Sequence, residues 1–398
     1  MRIAIITNDY PPESKGGAGR IAATYADFLG ERGHEIKVWG PSDDFKTLLR
    51  KSVLGRLSFH LRDLMPRKVI VDEIVTWKPD VVISHNLTGC GMGTAWKIKR
   101  SLDFAALHSG RHVRWAHFLH DVQLFEPSGQ IIYGESFGLS RSLWRRGWAG
   151  LRKKALGNPD VVISPTKWLL GQHVARGFFV DSRQEVIPNP ISFFCHPREG
   201  GDPAVQGLDS RLHGNDEEDF RMTEGGRDRK QILFVGRLDA DKGVGLLLEG
   251  WRIIRDSVER LVFVGDGRMR RAIESIGDTK IEVKGNLAPQ DVAREMSRSG
   301  VVVVPSLVME NQPTVILEAL SSGCNVVASD VGGVSETLGR VGRLFKPGSV
   351  DDLVRAVREA LAAPETDLER DAAVKEILQA HEPSVCGAAL EGLLKSNL

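Results

Sequence analysis

The chain has 398 residues, 41% hydrophobic and 26% charged, with 53 Lys+Arg against 52 Asp+Glu. That length exceeds one ordinary core and predicts two domains, and the balance is that of a globular rather than a disordered or fibrous protein. No run approaches the roughly 18 apolar residues of a membrane-spanning helix, and four scattered cysteines (90, 195, 324, 386) without metal or disulfide spacing suit a reducing cytoplasm.

Residues 1–190 hold 27 Lys+Arg against 18 Asp+Glu, net +9, which leaves 26 against 34, net −8, for the rest. Either the first half meets something anionic, a membrane surface or nucleic acid, or two faces of opposite sign attract each other.

RIAIIT (2–7) stands at the start as a core strand, not a signal peptide. The loop PPESKGGAGR (11–20) follows, with a helix from about Ala18. Gly16 and Gly17 let backbone approach a ligand closely, although this is no G-x-G-x-x-G signature. EIKVWG (35–40), DVVISH (80–85) and DVVISP (160–165) read as further buried parallel strands. HFLHD (117–121) ends another apolar run, which places His120 and Asp121 at a strand end, with Asp121 able to orient the imidazole. Ser84-His85-Asn86 and Ser164-Pro165-Thr166 close two strands and are either ligand contacts or structural. In FGLSRSLWRRGWAGLRKK (137–154), six cations accompany Trp144, Trp148 and Leu151 at spacings of four and three. These apolar residues share one helix face. Trp144, Arg145, Arg146 and Trp148 are candidate contacts to an anionic membrane, unless the tryptophans pack inward.

Residues 195–230, rich in Gly, Asp and Arg, lack periodicity and predict a surface insertion without catalytic role. A second strand series follows: QILFVGR (231–237), LVFVGDG (261–267), KIEVKG (280–285), VVVVP (301–305) and NVVAS (325–329). Helical segments alternate with these strands, for example at 243–255, 268–276 and 289–299. The fold class is therefore α/β: two doubly wound parallel-sheet domains with ligands at the carboxyl ends of strands and in the cleft between domains. The boundaries are 1–190, an irregular insertion at 191–230, 231–380, and a C-terminal helix at 381–398 expected to pack back on the first domain.

In GRLDADKG (236–243), Arg237 ends a strand and Lys242 precedes a helix, a pair suited to a diphosphate. In ENQPTVILEA (310–319), Pro313 fits the first helical position, and the N–H groups of Thr314 and Val315 can face a phosphate. Glu318, about 6 Å further along the axis, suits paired ribose hydroxyls, because a carboxylate only accepts. Glu310, in the preceding loop, reaches the other end of the ligand. The alternative is a solvated Glu310 and a locally paired Glu318. No D-x-D pair stands in a metal-binding position.

GRLDADKG, VGDG, KGN, ENQPTVILEAL and SSGCNVVASDVGGVSE together resemble the retaining glycosyltransferases of family four, which adopt the GT-B architecture of two facing Rossmann-like domains. The likeness spans nearly all of the chain outside 195–230, and the acid pair matches that family's E-x7-E motif. It implies that Arg237 and Lys242 bind the donor diphosphate, Glu318 the ribose, and Glu310 and His120 the donor sugar. Backbone at Gly285, Asn286 and Leu287 would contact the base, and the Gly16–Gly17 loop would cover phosphates and acceptor. The resemblance further implies a hexosyltransferase that uses a nucleotide-diphosphate sugar, with no obligatory cofactor or metal and no nucleic acid. Its acceptor would be a glycan or lipid-linked molecule in bacterial cell-surface polysaccharide synthesis. The enzyme would be cytoplasmic, peripheral on the inner face of the membrane. Asn311 and Gln312 stand where many relatives carry aromatic or glycine residues, which removes a guide to the sugar. A sugar-nucleotide 2-epimerase of the same architecture and a non-catalytic nucleotide-sugar-binding scaffold are the alternatives. Residues 195–219 resemble a translated bacterial palindromic repeat.

Overall fold

The run VVIS occurs at 81–84 and again at 161–164, and in both copies every residue is a buried strand residue. Branched strands with no polar alternation belong inside a parallel sheet covered on both faces. The computed structural model describes residues 1–12, 17–41, 61–105, 112–134, 139–191, 228–363 and 368–396. Gly16 and the expected insertion up to residue 227 lie outside the described residues. The chain divides into two units: Met1–Ser192 with Val308–Gln312 and Gln379–Leu398, and Phe193–Leu307 with Pro313–Leu378.

The first unit contains β1 (Arg2–Ile6), β2 (Glu35–Trp39), β3 (Val81–Ser84), β4 (Arg114–Phe118), β5 (Val161–Ser164) and β6 (Arg183–Val186). They form one sheet in the order β2-β1-β3-β4-β5-β6, parallel throughout. Side chains alternate across it. Ile3 and Ile5 join Ile21, Tyr25 and Leu29 of α1 (Gly17–Glu31) on one face. Ala4 and Ile6 join Ile70 and Ile74 of α2 (Lys68–Trp77) and Ile98 of α3 (Thr94–Ala105) on the other. Helices α4 (Leu139–Leu156) and α5 (Lys167–Val174) complete the unit's alternation. Strand order reverses between β1 and β3, which is where such a sheet opens a crevice. The polar strand β6 escapes an apolar-pattern reading because it is an edge, largely exposed.

The second unit repeats the plan. Its strands are β7 (Asp228–Val235), β8 (Arg260–Val264), β9 (Ile281–Gly285), β10 (Ser299–Val304), β11 (Asn325–Ser329) and β12 (Arg343–Phe345), in the order β12-β11-β10-β7-β8-β9. Helices α6 (Val244–Ile254), α7 (Arg270–Glu274), α8 (Pro289–Arg298), α9 (Thr314–Ser321), α10 (Val334–Leu338) and α11 (Val350–Leu361) follow the strands. Leu247, Trp251 and Ile254 of α6 meet Leu353, Val354 and Val357 of α11 in one core with β7, β8 and β10. Each such side chain, fully buried, contributes roughly 1.5–3 kcal/mol.

Helix α12 (Leu368–Ala380) ends at the unit boundary, and α13 (Pro383–Lys395) belongs to the first unit. Cys386, Leu390 and Leu394 of α13 share the core of Ile21 and Tyr25. The contact with α1 is close: a Cβ on Gly387 would stand 2.4 Å from the Phe28 ring. Glu391 seals it, bonded to Lys395 at 2.6 Å, His34 at 3.0 Å and Arg32 at 3.2 Å, and these partners, Lys395 first, hold its carboxyl down at about 2.

Candidate active site

Strands β7, β8 and β9 end beside one another, and their ends line a cleft of about 220 Å³ with Gly236, Arg237, Gly265, Asp266, Asn286 and Leu287. Gly265 takes φ +129°, and a Cβ there would stand 1.9 Å from the Gly236 carbonyl oxygen, so only glycine allows this approach. Asn286 and Leu287, expected from the sequence, lie in the wall. Gly285 closes β9 beside them, its carbonyl accepting from the Gly265 N–H at 2.7 Å.

Arg237 reaches the cleft already engaged. Its guanidinium donates to Asp239 at 2.7 Å and to Asp241 at 2.9 Å. Asp239 is buried and also accepts from the Arg268 backbone N–H at 3.1 Å and its Nε at 3.0 Å. The Arg268 backbone bond, then its side chain, holds the Asp239 carboxyl below the usual range. Asp239 thus ties the loop after β7 to the loop after β8. The aspartates have D-x-D spacing, but both serve Arg237. Among the described residues no group of three or more His, Cys, Asp or Glu is placed to hold a metal ion. Lys242 ends a 3₁₀ turn (Ala240–Lys242) whose last N–H returns to the Asp239 carbonyl at 3.1 Å. A reading that followed only the cations missed Asp239. The available signal was an acid two and four residues after Arg237.

The segment ENQPTVILEA passes from the first unit to the second between Gln312 and Pro313. In the first unit its loop is fastened residue by residue. Met309 N–H donates to the Ile131 carbonyl at 2.7 Å, and Asn311 Nδ2 to the His120 carbonyl at 3.2 Å. Thr166 Oγ1 donates to Asn311 Oδ1 at 2.8 Å, and Asn189 N–H to Gln312 Oε1 at 2.8 Å. Gln312 Nε2 donates to His381 Nε2 at 2.8 Å. Glu310, half-buried, is therefore brought to the same loop cluster as His120. In the second unit Pro313 is the N-cap of α9, with extended φ −72° and ψ 111°. This corrects its expected place as first helical residue. Thr314 and Val315 take the first two positions, whose N–H groups have no partner inside a helix, and Glu318 follows on the next turn, half-buried. In the first unit, Gly17 begins α1, and a Cβ there would meet nothing within 4 Å.

His120 follows β4 and is half-buried, and its Nε2 meets His85 Nδ1 at 2.8 Å. His85 directly follows β3, is fully buried, and stacks on Phe118 at 4.7 Å and 14°. Beneath them Trp115 Nε1 donates to Ser84 Oγ at 2.7 Å, and Ser84 Oγ meets His117 Nδ1 at 2.9 Å. Burial keeps these imidazoles neutral: it lowers His117 to about 3, His120 to about 4, and His85 well below its ordinary value. At neutral pH, His120 is thus a hydrogen-bonding group and not a cation. The expectation that Asp121 orients His120 is corrected. Asp121 accepts from Gln123 N–H at 2.7 Å and Asn86 Nδ2 at 3.4 Å, and the ring partner of His120 is His85. The ligand-contact reading of Ser84, His85, Ser164 and Thr166 falls as well, since all four are buried and Thr166 caps α5.

Helix α4 corrects another expectation. Trp148 is buried and Arg145 holds Glu126 at 2.8 Å, so neither is available as a membrane contact. Trp144 stacks on Trp148 at 5.9 Å and is 54% exposed; Leu143 and Leu151 are exposed too, as is Arg146. Among the described residues no helix is long and apolar enough to cross a membrane.

Two doubly wound parallel units, the second with a glycine-lined cleft at its strand ends, define the GT-B class. Solved structures agree on the fold. Anabaena Alr3699/HepE in complex with UDP superposes with TM-score 0.66 at 18% identity over 100% of both chains. A sucrose-phosphate synthase of Thermosynechococcus elongatus gives 0.65 at 18%, over 99% of this chain and 98% of that one. The model of the family described as Glycosyl transferases group 1 matches residues 229–363, and that of Glycosyltransferase Family 4 matches residues 15–193. TuaC of Bacillus subtilis (strain 168), a glycosyltransferase named for teichuronic acid biosynthesis, is 35% identical over 90% of this chain and 88% of its own. The glycosyltransferase MJ1607 of Methanocaldococcus jannaschii is 34% identical over 85% and 83%. The chain belongs to the group 1/family 4 glycosyltransferases, and it is a glycosyltransferase.

Proposed function

We propose that the enzyme moves a hexose from a nucleotide-diphosphate sugar, with retention of anomeric configuration, to a glycan or lipid-linked acceptor in cell-surface polysaccharide synthesis. The observation that carries the donor class is the glycine-lined cleft with Arg237 at its mouth. Arg237, Lys242 and the N–H groups of Thr314 and Val315 offer fixed positive charge to a departing diphosphate, and preorganised charge is the largest catalytic contribution available to such a step. Glu318 accepts the ribose hydroxyls, and Asn286 and Leu287 flank the base. Glu310 and the neutral His120 serve the sugar, the one as acceptor and the other through its imidazole. Gly17 leaves room for an approaching ligand. Relatives support the setting: TuaC carries a teichuronic acid name, and an N-acetylglucosaminyltransferase named for lipopolysaccharide is 33% identical over 35% of this chain. Solved neighbours hold UDP and UDP-glucose.

The test is incubation with UDP-glucose, UDP-N-acetylglucosamine and other nucleotide sugars, with and without lipid-linked or glycan acceptors. Acceptor-dependent release of nucleoside diphosphate supports transfer, and an α-linked product from an α-linked donor supports retention. Interconversion of the donor without acceptor would show an epimerase instead. Nucleotide-sugar binding without turnover would show a scaffold.

A further inference from the structure

Behind His120 lies a cavity of about 30 Å³ lined by His85, His117, His120, Asp121, Gln123 and Arg152, among others. It is too small for substrate but large enough for roughly two waters. Two of its lining residues keep a buried nitrogen without a partner among the described residues: Nε2 of His85 and Nε of Arg152. Arg152, on α4, is 1% exposed, lies over the Trp148 ring at 4.9 Å, and donates through Nη1 to the Gln123 carbonyl. A guanidinium can only donate, whereas a neutral imidazole has one donor and one acceptor nitrogen. A water that accepts from Arg152 Nε–H therefore has its own proton for His85 Nε2. His85 then carries its proton on Nδ1 and donates to His120 Nε2, the partner at 2.8 Å.

We propose that Arg152, a water in this cavity and His85 form a one-way hydrogen-bond chain that fixes His120 as the Nδ1–H tautomer. His120 thereby presents a donor to an oxygen of the sugar. The role at the sugar rests on the function proposed above, but the tautomer does not. Arg152 and His85 are positioning residues. Stacking of His85 on Phe118 sets the ring plane, and the charge of Arg152 sets the direction in which every link points. Without that donor-only terminus, His85 and His120 could exchange roles, and His120 would offer a lone pair as often as a proton.

The experiment is a long-range ¹H–¹⁵N correlation spectrum of the full-length, ligand-free enzyme labelled with ¹⁵N-histidine, at pH 7. The His120 signals are those lost in His120→Gln. The expected spectrum shows a protonated Nδ1 and a bare Nε2, and a protonated Nε2 overturns the chain whatever the variants do. His85→Asn places an amide where Nδ1 stood, and His85→Leu removes the bond. The loss of one such hydrogen bond corresponds to about tenfold in kcat for His85→Leu, most of it restored in His85→Asn. Equal losses in both folded variants would count against the chain. Arg152→Lys should preserve the tautomer and Arg152→Met should mix the two forms; an unchanged single tautomer in Arg152→Met overturns the part given to Arg152. Unimpaired turnover in His120→Ala would sink the sugar role while the measured tautomer still decides the chain.

Discussion

Asp239 shows how acids can build the diphosphate site proposed above. Its carboxylate is buried, ionised, and bonded to Arg237 and Arg268, so it aims two cations while adding a negative charge beside them. Lys242 differs, since its expected service is charge itself. Lys242→Ala should lower kcat on the order of 10²–10³ with the true substrates, as removal of an oxyanion-type group does. Asp239→Asn keeps the shape and weakens only the aim, so steady-state kinetics should show a loss of about tenfold, the scale of one charge-assisted bond. Near-normal turnover in Lys242→Ala would remove the diphosphate from this loop. Glu318 allows a binding test without chemistry. Two hydrogen bonds to a charged acceptor are worth roughly 1.5–3 kcal/mol each, so Glu318→Gln should weaken nucleoside diphosphate binding at least tenfold by calorimetry. An unchanged affinity would rule out the ribose role.

Helix α4 joins packing to an expectation about the membrane. Its inner stripe runs through buried Trp148, Arg152 and Leu156 and half-buried Arg145 and Ala149, and its outer face carries Leu143, Trp144, Arg146 and Leu151. Exposed tryptophan with basic neighbours fits the headgroup boundary of an anionic bilayer, each cation adding about 1 kcal/mol. Trp144→Ser with Arg146→Ser should therefore reduce cosedimentation with anionic liposomes, and added salt should do the same to the wild type. Equal binding to neutral liposomes would favour a soluble acceptor. The sequence offered this helix but turned its face by one position. Spacing grouped Trp144, Trp148 and Leu151, whereas Glu126 and the carboxylates of Asp63 and Asp121 draw Arg145 and Arg152 inward. Periodicity weighs residues by polarity and cannot see a buried partner brought from elsewhere in the chain. The same blindness hid His85 behind His120, because the contact joins two strand ends 35 residues apart. Both sheets, by contrast, were legible, since wholly apolar β-branched runs such as VVIS have few places to go. Arg237 stood out as a cation at a strand end, whereas Asn286 and Leu287 were named by the family resemblance alone; all three line the cleft of the second unit.

Over the whole molecule, titration separates the two units. His85, His117, His120 and His173 all lie in the first unit, and burial lowers every one, the last also to about 4. The described residues of the second unit contain no histidine. In the native first unit these rings stay neutral, while in the unfolded chain they take up protons below the ordinary value of about 6.5. Their stabilising effect is thus complete above pH 6.5 and is lost as pH falls toward 4. Each proton bound only by the unfolded chain removes about 1.4 kcal/mol per pH unit. Asp63, raised by burial to about 6, and Asp121, also raised, work the other way, because their native forms take up protons first. Two acids against four imidazoles leave a net loss on acidification. In the second unit the carboxyls of Asp239, Asp278 and Asp352 are lowered, so what they add is lost only below the ordinary carboxylate range. Between pH 7 and 5 the first unit should therefore lose stability much faster than the second. Limited proteolysis at a fixed elevated temperature, mapped by mass spectrometry, reads this directly. Cleavage inside residues 61–191 should accelerate on going from pH 7 to pH 5, with cleavage inside 231–363 nearly unchanged. Parallel acceleration in both would mean that the buried histidines do not govern the acid response.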